Sequence, residues 1–168
     1  MEKIDIYDKN RRLTGKIVTR NKGKIDLKDG EYILLVKCWI LNNNNEILLT
    51  QRRMDKYNGG MWEPTGGLAS SGETSIQAIK RELLEEIGLD IQESKLQIVD
   101  KKIEKSCFKD VYLIKDDIKL AELKFNDGEV INAKYVTIDE FKQMINKKEI
   151  NKWNESFLET YEKIIHNK

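Results

Sequence analysis

Three glutamates, Glu82, Glu85 and Glu86, follow Arg81 closely in the chain. On a helix, residues three and four positions apart share a face, so the three carboxylates would lie together. Like charges at this spacing weaken an isolated helix by roughly a few tenths of a kcal/mol per pair. Arg81 can pair with Glu85, but one guanidinium does not neutralise three carboxylates. A hard divalent ion does, and oxygen ligands without a neighbouring His or Cys favour Mg²⁺ or Mn²⁺ over zinc.

The loop before this helix strengthens the case for a site over a merely solvated charged face. Gly66 and Gly67 allow the backbone to approach a ligand closely, and the Gly67 carbonyl could supply a neutral oxygen ligand. Ser71 or Gly72 could cap the helix, which would put Glu73 in its first turn, where the helix dipole favours an acid. Glu73 therefore has a structural reason to be present, and we expect it to support the site rather than to be a primary ligand.

The surrounding pattern predicts the elements that position these residues. Residues 1–30 have the polar, glycine-spaced pattern of an N-terminal hairpin or arm, and residues 54–67 form a glycine-rich structured loop. Alternation and apolar runs predict strands at 31–41, 46–53, 97–102, 108–114 and 133–138, and 3.6-residue periodicity predicts helices at 74–87, 139–145 and 153–165. Strands mixed with helices favour a layered α/β domain.

Composition narrows the class of protein. The 168 residues suffice for one domain with a sizeable core, so we expect a single domain over 1–168. A net charge of +1, from 30 basic and 29 acidic residues, offers no overall field for binding nucleic acid or anionic lipid. No signal peptide or membrane helix is evident, so we expect no membrane partner and a cytoplasmic location. Cys38 and Cys107 lie in apolar surroundings typical of reduced thiols.

The spacing from Gly67 to Leu89 resembles the Nudix box, and each defining position is filled. Those positions are Gly67, Glu73, Arg81-Glu82-Leu83, Glu85-Glu86 and Gly88-Leu89. A nine-position match at fixed spacing is far more specific than a lone glycine motif. Weaker similarity over most of the chain, including EYILLVKCWILN and YNGGMWEPTGG, resembles the Nudix subgroup related to isopentenyl diphosphate isomerase. The resemblance implies an α/β/α sandwich around a central mixed β-sheet.

The resemblance also implies a reaction: hydrolysis of a nucleoside diphosphate linked to another group, with that small molecule as the partner. Glu82, Glu85 and Glu86 would bind Mg²⁺, or Mn²⁺ in its place, with help from the Gly67 carbonyl, while Arg81 would orient a glutamate. Divalent ions neutralise a diphosphate and lower the pKa of bound water, and a carboxylate must then accept a proton. Many relatives form homodimers, in which the N-terminal arm could take part.

The sequence offers more than one candidate for the proton acceptor and for the substrate contacts. Glu82 or Glu85 could be the base, and Glu129, just before a predicted strand, is a distal candidate that could equally be a simple turn acid. Arg52 and Arg53 end a strand and point to opposite faces, so one of them could reach substrate phosphate. Tyr57 and Trp62 could stack on a base, although packing is the commoner role of such residues.

Two other functions compete with hydrolysis. The first is isomerisation of isopentenyl diphosphate, but that enzyme uses a catalytic cysteine and metal-binding histidines, whereas this chain has one histidine, His166, near its end. The second is a non-catalytic Nudix-fold module that binds nucleotides. Such modules have normally lost glutamates from the box. Here every box glutamate is present. The sequence does not identify the leaving group, the base or the sugar.

Overall fold

The structure is a computed structural model that describes residues 2–21, 25–150, 154 and 156–166. The strands are β1 (Lys3–Tyr7), β2 (Leu13–Thr19), β3 (Ile33–Leu41), β4 (Ile47–Arg52), β5 (Trp62–Glu63), β6 (Gln97–Glu104), β7 (Cys107–Lys115) and β8 (Val130–Val136). The helices are α1 (Ser75–Ile87), α2 (Ile138–Asn146) and α3 (Phe157–His166), with 3₁₀ turns at Glu93–Lys95 and Leu120–Glu122. The predicted elements are all found, with shifted ends.

A six-stranded mixed sheet forms the centre of the fold. Its order is β5-β4-β3-β7-β6, and β8 pairs with β4 along the edge opposite β5. β3 and β7 run parallel in register from Ile33–Cys107 to Leu41–Lys115, and the other pairs are antiparallel. β3 is buried over nearly all of its length, as its continuous apolar run predicts for a central strand. The mixed α/β fold predicted from the sequence is therefore confirmed.

Helices pack on both faces of the sheet. The first core cluster joins α1 to one face through Ile79, Leu83 and Ile87. The second lies on the other face, where Phe141 of α2 and Phe157 of α3 pack against Trp39. Cys38 and Cys107 are both free thiols. Among the described residues, no helix has the length and hydropathy that crossing a membrane requires.

The N-terminal hairpin is a separate two-stranded sheet that docks onto the central one. β1 and β2 pair antiparallel, and Tyr7 exchanges backbone hydrogen bonds of 2.8 and 2.9 Å with Tyr32, just before β3. Arg11, in the hairpin turn, donates two hydrogen bonds of 2.7 and 2.5 Å to the buried carboxylate of Asp110 on β7. β1 and β2 thus form a hairpin that is attached to the central sheet at two points.

Some predicted boundaries were wrong for identifiable reasons. Thr74, rather than Ser71 or Gly72, caps α1: its side chain accepts a hydrogen bond from the Gln77 backbone N–H, and the Gln77 side chain accepts one from the Thr74 N–H. Glu73 consequently precedes the helix instead of lying in its first turn. The strand predicted at 133–138 begins at Val130 and ends before α2. Trp153, at the start of the third predicted helix, lies outside the described residues.

Candidate active site

Helix α1 divides the three clustered glutamates by burial. Gly88, in the left-handed conformation at φ 70°, ends the helix, and its N–H donates to the Leu84 carbonyl at 3.0 Å. Because α1 packs on the sheet, Glu86 is drawn inside with 6% of its surface exposed. The side chain of Glu82 is 12% exposed, whereas that of Glu85 is 51% exposed. Only part of the cluster therefore faces solvent.

Arg81 holds the outer part of this cluster together. Its guanidinium donates to Glu73 at 2.7 Å, to Glu82 at 2.9 Å and to Glu85 at 3.0 Å. It also donates to the carbonyl of Leu68, at 3.0 Å, in the loop before the helix. Glu73 in turn accepts a hydrogen bond from the Ser70 N–H at 2.8 Å. Arg81 therefore ties the loop to the helix and fixes the orientation of Glu82.

Glu86 meets two acids from a distant part of the chain. Carboxylate oxygens of Glu86, Asp127 and Glu129 lie within 4.8 Å of one another. The structure thus brings the predicted distal acid Glu129 next to helix α1. Asp127 was missed from the sequence; its position two residues before Glu129 in the same turn was the signal that could have found it. Its carboxylate also accepts a hydrogen bond from the Glu129 N–H at 2.8 Å.

These carboxylates suit a divalent cation. Burial, with help from the neighbouring charges of Glu82 and Glu63, raises the pKa of Glu86 to about 8 against the opposing effect of Lys37. A hard ion that requires oxygen ligands would favour the ionised form of such a group. Of the predicted ligands, Glu86 belongs to the three-acid group, while Glu82 and Glu85 are held on Arg81.

The glycine loop lies so close to these acids that side chains would not fit. A Cβ on Gly67 would lie 2.5 Å from a carboxylate oxygen of Glu82, and one on Gly66 would collide with the Val36 carbonyl. Gly66 donates its N–H to Glu86 at 3.2 Å. The Gly67 carbonyl accepts a hydrogen bond of 2.9 Å from the Val36 N–H, so one of its lone pairs is already used by the sheet. Its other lone pair is the one that a metal could use.

Lys37 is a buried cation at the centre of the site. It projects from the otherwise apolar strand β3, and its Nζ contacts Glu63 at 3.4 Å, the Pro64 carbonyl at 3.3 Å and the Gly66 carbonyl at 3.4 Å. Glu63 also accepts a hydrogen bond of 2.8 Å from Arg52. Although burial opposes ionisation of Glu63, Lys37 and Arg52 lower its pKa on balance. A lysine inside an apolar strand was the sequence signal for this residue, and it was overlooked.

A cleft of about 250 Å³ opens beside the glycine loop. Its walls include Gly66, Gly67 and Glu63, and four cationic residues line it: Arg20, Lys37, Arg52 and Lys109. Lys109 is buried, and it forms an ion pair of 3.5 Å with Glu104. A larger groove of about 420 Å³ between β6 and α3 shares no residue with this cleft. The concentration of positive charge beside the acidic group suits an anionic, phosphate-containing ligand.

The remaining predicted contacts separate into two groups. Arg52 lines the cleft and comes within 3.9 Å of Glu129, and Tyr57 stands at its rim with 84% of its surface exposed. Arg53 points elsewhere and forms an exposed ion pair with Asp55 at 2.6 Å. Trp62 packs against the second core cluster, with Lys134 4.3 Å from its ring centroid. The structure therefore brings Arg52 and Tyr57 to the cleft, but not Arg53 or Trp62.

Comparison with known proteins assigns the family. The NUDIX domain model matches residues 32–161. The chain belongs to the Nudix hydrolase family. The uncharacterised Nudix hydrolase lmo0368 of Listeria monocytogenes is 33% identical over 146 residues, which cover 86% of this chain and 85% of that protein. Nudix hydrolases are pyrophosphohydrolases, and the acidic group beside the cleft, in which Glu86 is buried, agrees with the general use of divalent metals in the family.

Two further similarities describe the fold and the rival function. The crystal structure of DR0079 from Deinococcus radiodurans superposes with a TM-score of 0.76 at 20% identity, over 94% of this chain and 96% of that one, which supports the fold alone. An isopentenyl-diphosphate Delta-isomerase from Pectobacterium atrosepticum is 28% identical over 91% of this chain and 87% of that protein. The chain is thus similar in sequence to both hydrolases and an isomerase. The residues of the site are therefore the basis for choosing between the two activities.

Proposed function

We propose that this Nudix hydrolase uses Mg²⁺, or Mn²⁺ in its place, to cleave the phosphoanhydride of a nucleoside diphosphate derivative or a related pyrophosphate compound. The observation that carries the proposal is the position of the three-acid group, Glu86 with Asp127 and Glu129, beside a cleft lined by four cationic residues. Acids that can bind a cation or accept a proton lie next to cations that can bind an anion, as hydrolysis of a diphosphate requires.

Each side chain has a definite task in this proposal. Glu86, with Glu82, Glu85 and the Gly67 carbonyl, would hold the metal, which when bound neutralises phosphate charge and acidifies water. Arg81 keeps Glu82 and Glu85 in place, and Arg52 and Lys37 face the anionic substrate in the cleft.

In this proposal Glu129 is the proton acceptor, because it lies beside Glu86 and its side chain is open to solvent. Lys56, at 2.8 Å, and Arg52 lower its pKa in spite of partial burial, so its carboxylate is ionised near neutral pH. Its side chain is 40% exposed, so water reaches it. The side chain of the other candidate base, Glu82, is only 12% exposed, so water reaches it less easily.

The test is a substrate panel with product identification. Nucleotide sugars, dinucleoside polyphosphates, nucleoside di- and triphosphates and isopentenyl diphosphate are incubated with and without Mg²⁺. We expect Mg²⁺-dependent release of a nucleoside monophosphate or phosphate, and loss of at least about a hundredfold in kcat with Glu86→Gln. Glu93→Gln, an exposed acid on the 3₁₀ turn after α1, is the matched control and should leave turnover unchanged.

The same panel separates the rival functions. Double-bond migration in isopentenyl diphosphate without release of phosphate would establish the isomerase instead. Tight nucleotide binding with no product, unaffected by Glu86→Gln, would indicate a binding module and overturn the hydrolase proposal.

A further inference from the structure

The N-terminal hairpin lies outside residues 32–161, which match the family model, yet it touches the box loop. Asp5 on β1 accepts two hydrogen bonds of 2.7 Å, from the Ser71 hydroxyl and from the Gly72 N–H. The Lys3 carbonyl accepts a third, also of 2.7 Å, from the Ser71 N–H. Strand β1 therefore holds the loop that joins Gly67 to Glu73.

This contact continues to the glutamates through a chain of hydrogen bonds. Ser70, beside the residues that Asp5 holds, donates its N–H to Glu73. Glu73 binds Arg81, and Arg81 binds Glu82 and Glu85. Charge-assisted hydrogen bonds of this kind fix both distance and angle, so a shift of the loop would be passed to the carboxylates.

The other strand of the hairpin brings a cation to the cleft. Arg20 directly follows β2 and lines the cleft together with Lys37 and Arg52. Its side chain is 40% exposed and forms a hydrogen bond of 3.2 Å with the carboxylate of Glu2. Arg52, which lines the same cleft, comes within 3.9 Å of Glu129. Arg20 therefore lies in the cleft that the proposed base adjoins.

The docking of the hairpin is firm enough to hold both groups. Asp110, which binds Arg11 through both carboxylate oxygens, is 1% exposed, and the Arg11 guanidinium lies 5.6 Å from the ring centroid of Phe108. Ile4 and Ile6 of β1 are fully buried against the sheet. The hairpin is therefore packed in place rather than attached by the box loop alone.

We propose that the hairpin is part of the active site, where Arg20 binds an anionic group of the substrate and Asp5 is a positioning residue for the box loop. The proposal rests on the proposed hydrolysis of a pyrophosphate compound. It adds that catalytic competence requires residues that the family pattern does not include.

Binding of inorganic anions tests the role of Arg20 without turnover. Calorimetry measures the dissociation constants of pyrophosphate and tripolyphosphate, in the presence of Mg²⁺, for the full chain and for Arg20→Met. Loss of one charge-assisted contact at a partly exposed site should weaken binding roughly tenfold. Arg12→Met is the matched control, because Arg12 is an exposed arginine in the turn of the same hairpin. Equal affinities for Arg20→Met and Arg12→Met would overturn the role of Arg20.

A metal titration tests the role of Asp5. Asp5→Asn keeps the shape of the side chain but removes the charge that the Ser71 hydroxyl and the Gly72 N–H face. We expect Mn²⁺ affinity, followed by electron paramagnetic resonance, to fall at least about threefold, and kcat to fall more than KM rises. Asp8→Asn is the control, since Asp8 accepts two backbone hydrogen bonds inside the hairpin turn and does not touch the box loop. If both variants lose thermal stability equally and neither changes Mn²⁺ affinity, the positioning role is refuted.

The anion and Mn²⁺ titrations test this inference independently of the proposed function. A panel without turnover would refute hydrolysis, yet the anion and Mn²⁺ titrations would still report whether Arg20 and Asp5 belong to the site. Conversely, normal turnover by both variants, with unchanged constants, would refute this inference and leave hydrolysis standing.

Discussion

Replacing Glu86 by glutamine should make the metal-free protein more stable at alkaline pH. The carboxylate is buried on the sheet side of α1, and its pKa is raised from 4.5 to about 8. Glutamine has nearly the same shape and can still accept the 3.2 Å hydrogen bond from the Gly66 N–H. The substitution therefore removes the ionisable group with little change in packing.

The expected size follows from proton linkage. Below pH 4.5 the carboxyl is protonated in both the folded and the unfolded chain, so it causes no pH dependence. Between pH 4.5 and about 8 the unfolded chain loses this proton while the folded chain keeps it. The free energy of unfolding then falls by about 1.4 kcal/mol per pH unit, or on the order of 5 kcal/mol over the whole window. Above pH 8 the loss is complete.

Urea unfolding in EDTA at pH 5.0, 6.0, 7.0, 8.0 and 9.0 measures this difference. The free energy of unfolding of the wild type should fall relative to that of Glu86→Gln by several kcal/mol, with most of the change before pH 8. Glu85→Gln is the control, because Glu85 is adjacent to Glu86 in the chain but its side chain is 51% exposed. The unfolding free energy of this variant should depend on pH as that of the wild type does. Added Mn²⁺ should reverse the trend in the wild type, since the ion binds the ionised carboxylate.

A parallel result for wild type and Glu86→Gln would refute the reasoning. The test is whether the difference between their unfolding free energies changes with pH. If it changes by less than about 1 kcal/mol between pH 5 and pH 9, the folded protein does not hold Glu86 in its protonated form. The argument for a cation at this position would then lose its electrostatic basis.

Three further substitutions test the site and the core. Gly67→Ala should reduce kcat at least about tenfold in the turnover assay, because the added Cβ meets the Glu82 carboxylate at 2.5 Å; normal kcat would show that Glu82 can move without consequence. Arg81→Lys should also lower kcat, and it should weaken Mn²⁺ binding, since an ammonium cannot reproduce the forked contacts of the guanidinium; unchanged titrations would contradict this role. Phe157→Ala should destabilise the fold by roughly 3–5 kcal/mol in urea unfolding, because Phe157 stacks on Trp39 at 3.5 Å between ring centroids, and a loss below about 1 kcal/mol would show that α3 contributes little.

Local pattern predicted the parts of the fold that depend on neighbours in sequence. The periodicity of α1 identified its buried stripe, and the apolar run of β3 identified a central strand. The start of α1 was misplaced because several polar residues near Ser71 were equally good caps, and only the reciprocal bonds between Thr74 and Gln77 decide among them.

The rest of the site could not be predicted from the sequence because distant segments of the chain build it. Asp127 reaches Glu86 because β8 pairs with β4, and Lys109 reaches the cleft because β7 pairs parallel with β3. No local sequence pattern predicts either of these strand pairings. Arg53 illustrates the reverse case: strand alternation predicted that one of two adjacent arginines would face away, and the structure shows which one.

The two central strands carry both buried lysines that line the cleft and apolar residues that pack in the core. On the α3 side of the sheet, Lys109 lies near the start of β7 and Lys37 lies at the middle of β3, while Trp39 and Leu113 follow later in the two strands. The parallel register sets Leu35 beside Lys109 and Lys37 beside Val111, so the two lysines are diagonal neighbours on one face, and Trp39 lies beside Leu113 further along. A buried lysine costs stability unless it is paired, and these lysines contact Glu63 and Glu104 respectively. The paired lysines of this face therefore line the cleft, and the aromatic packing of Trp39 lies beyond them on the same strands.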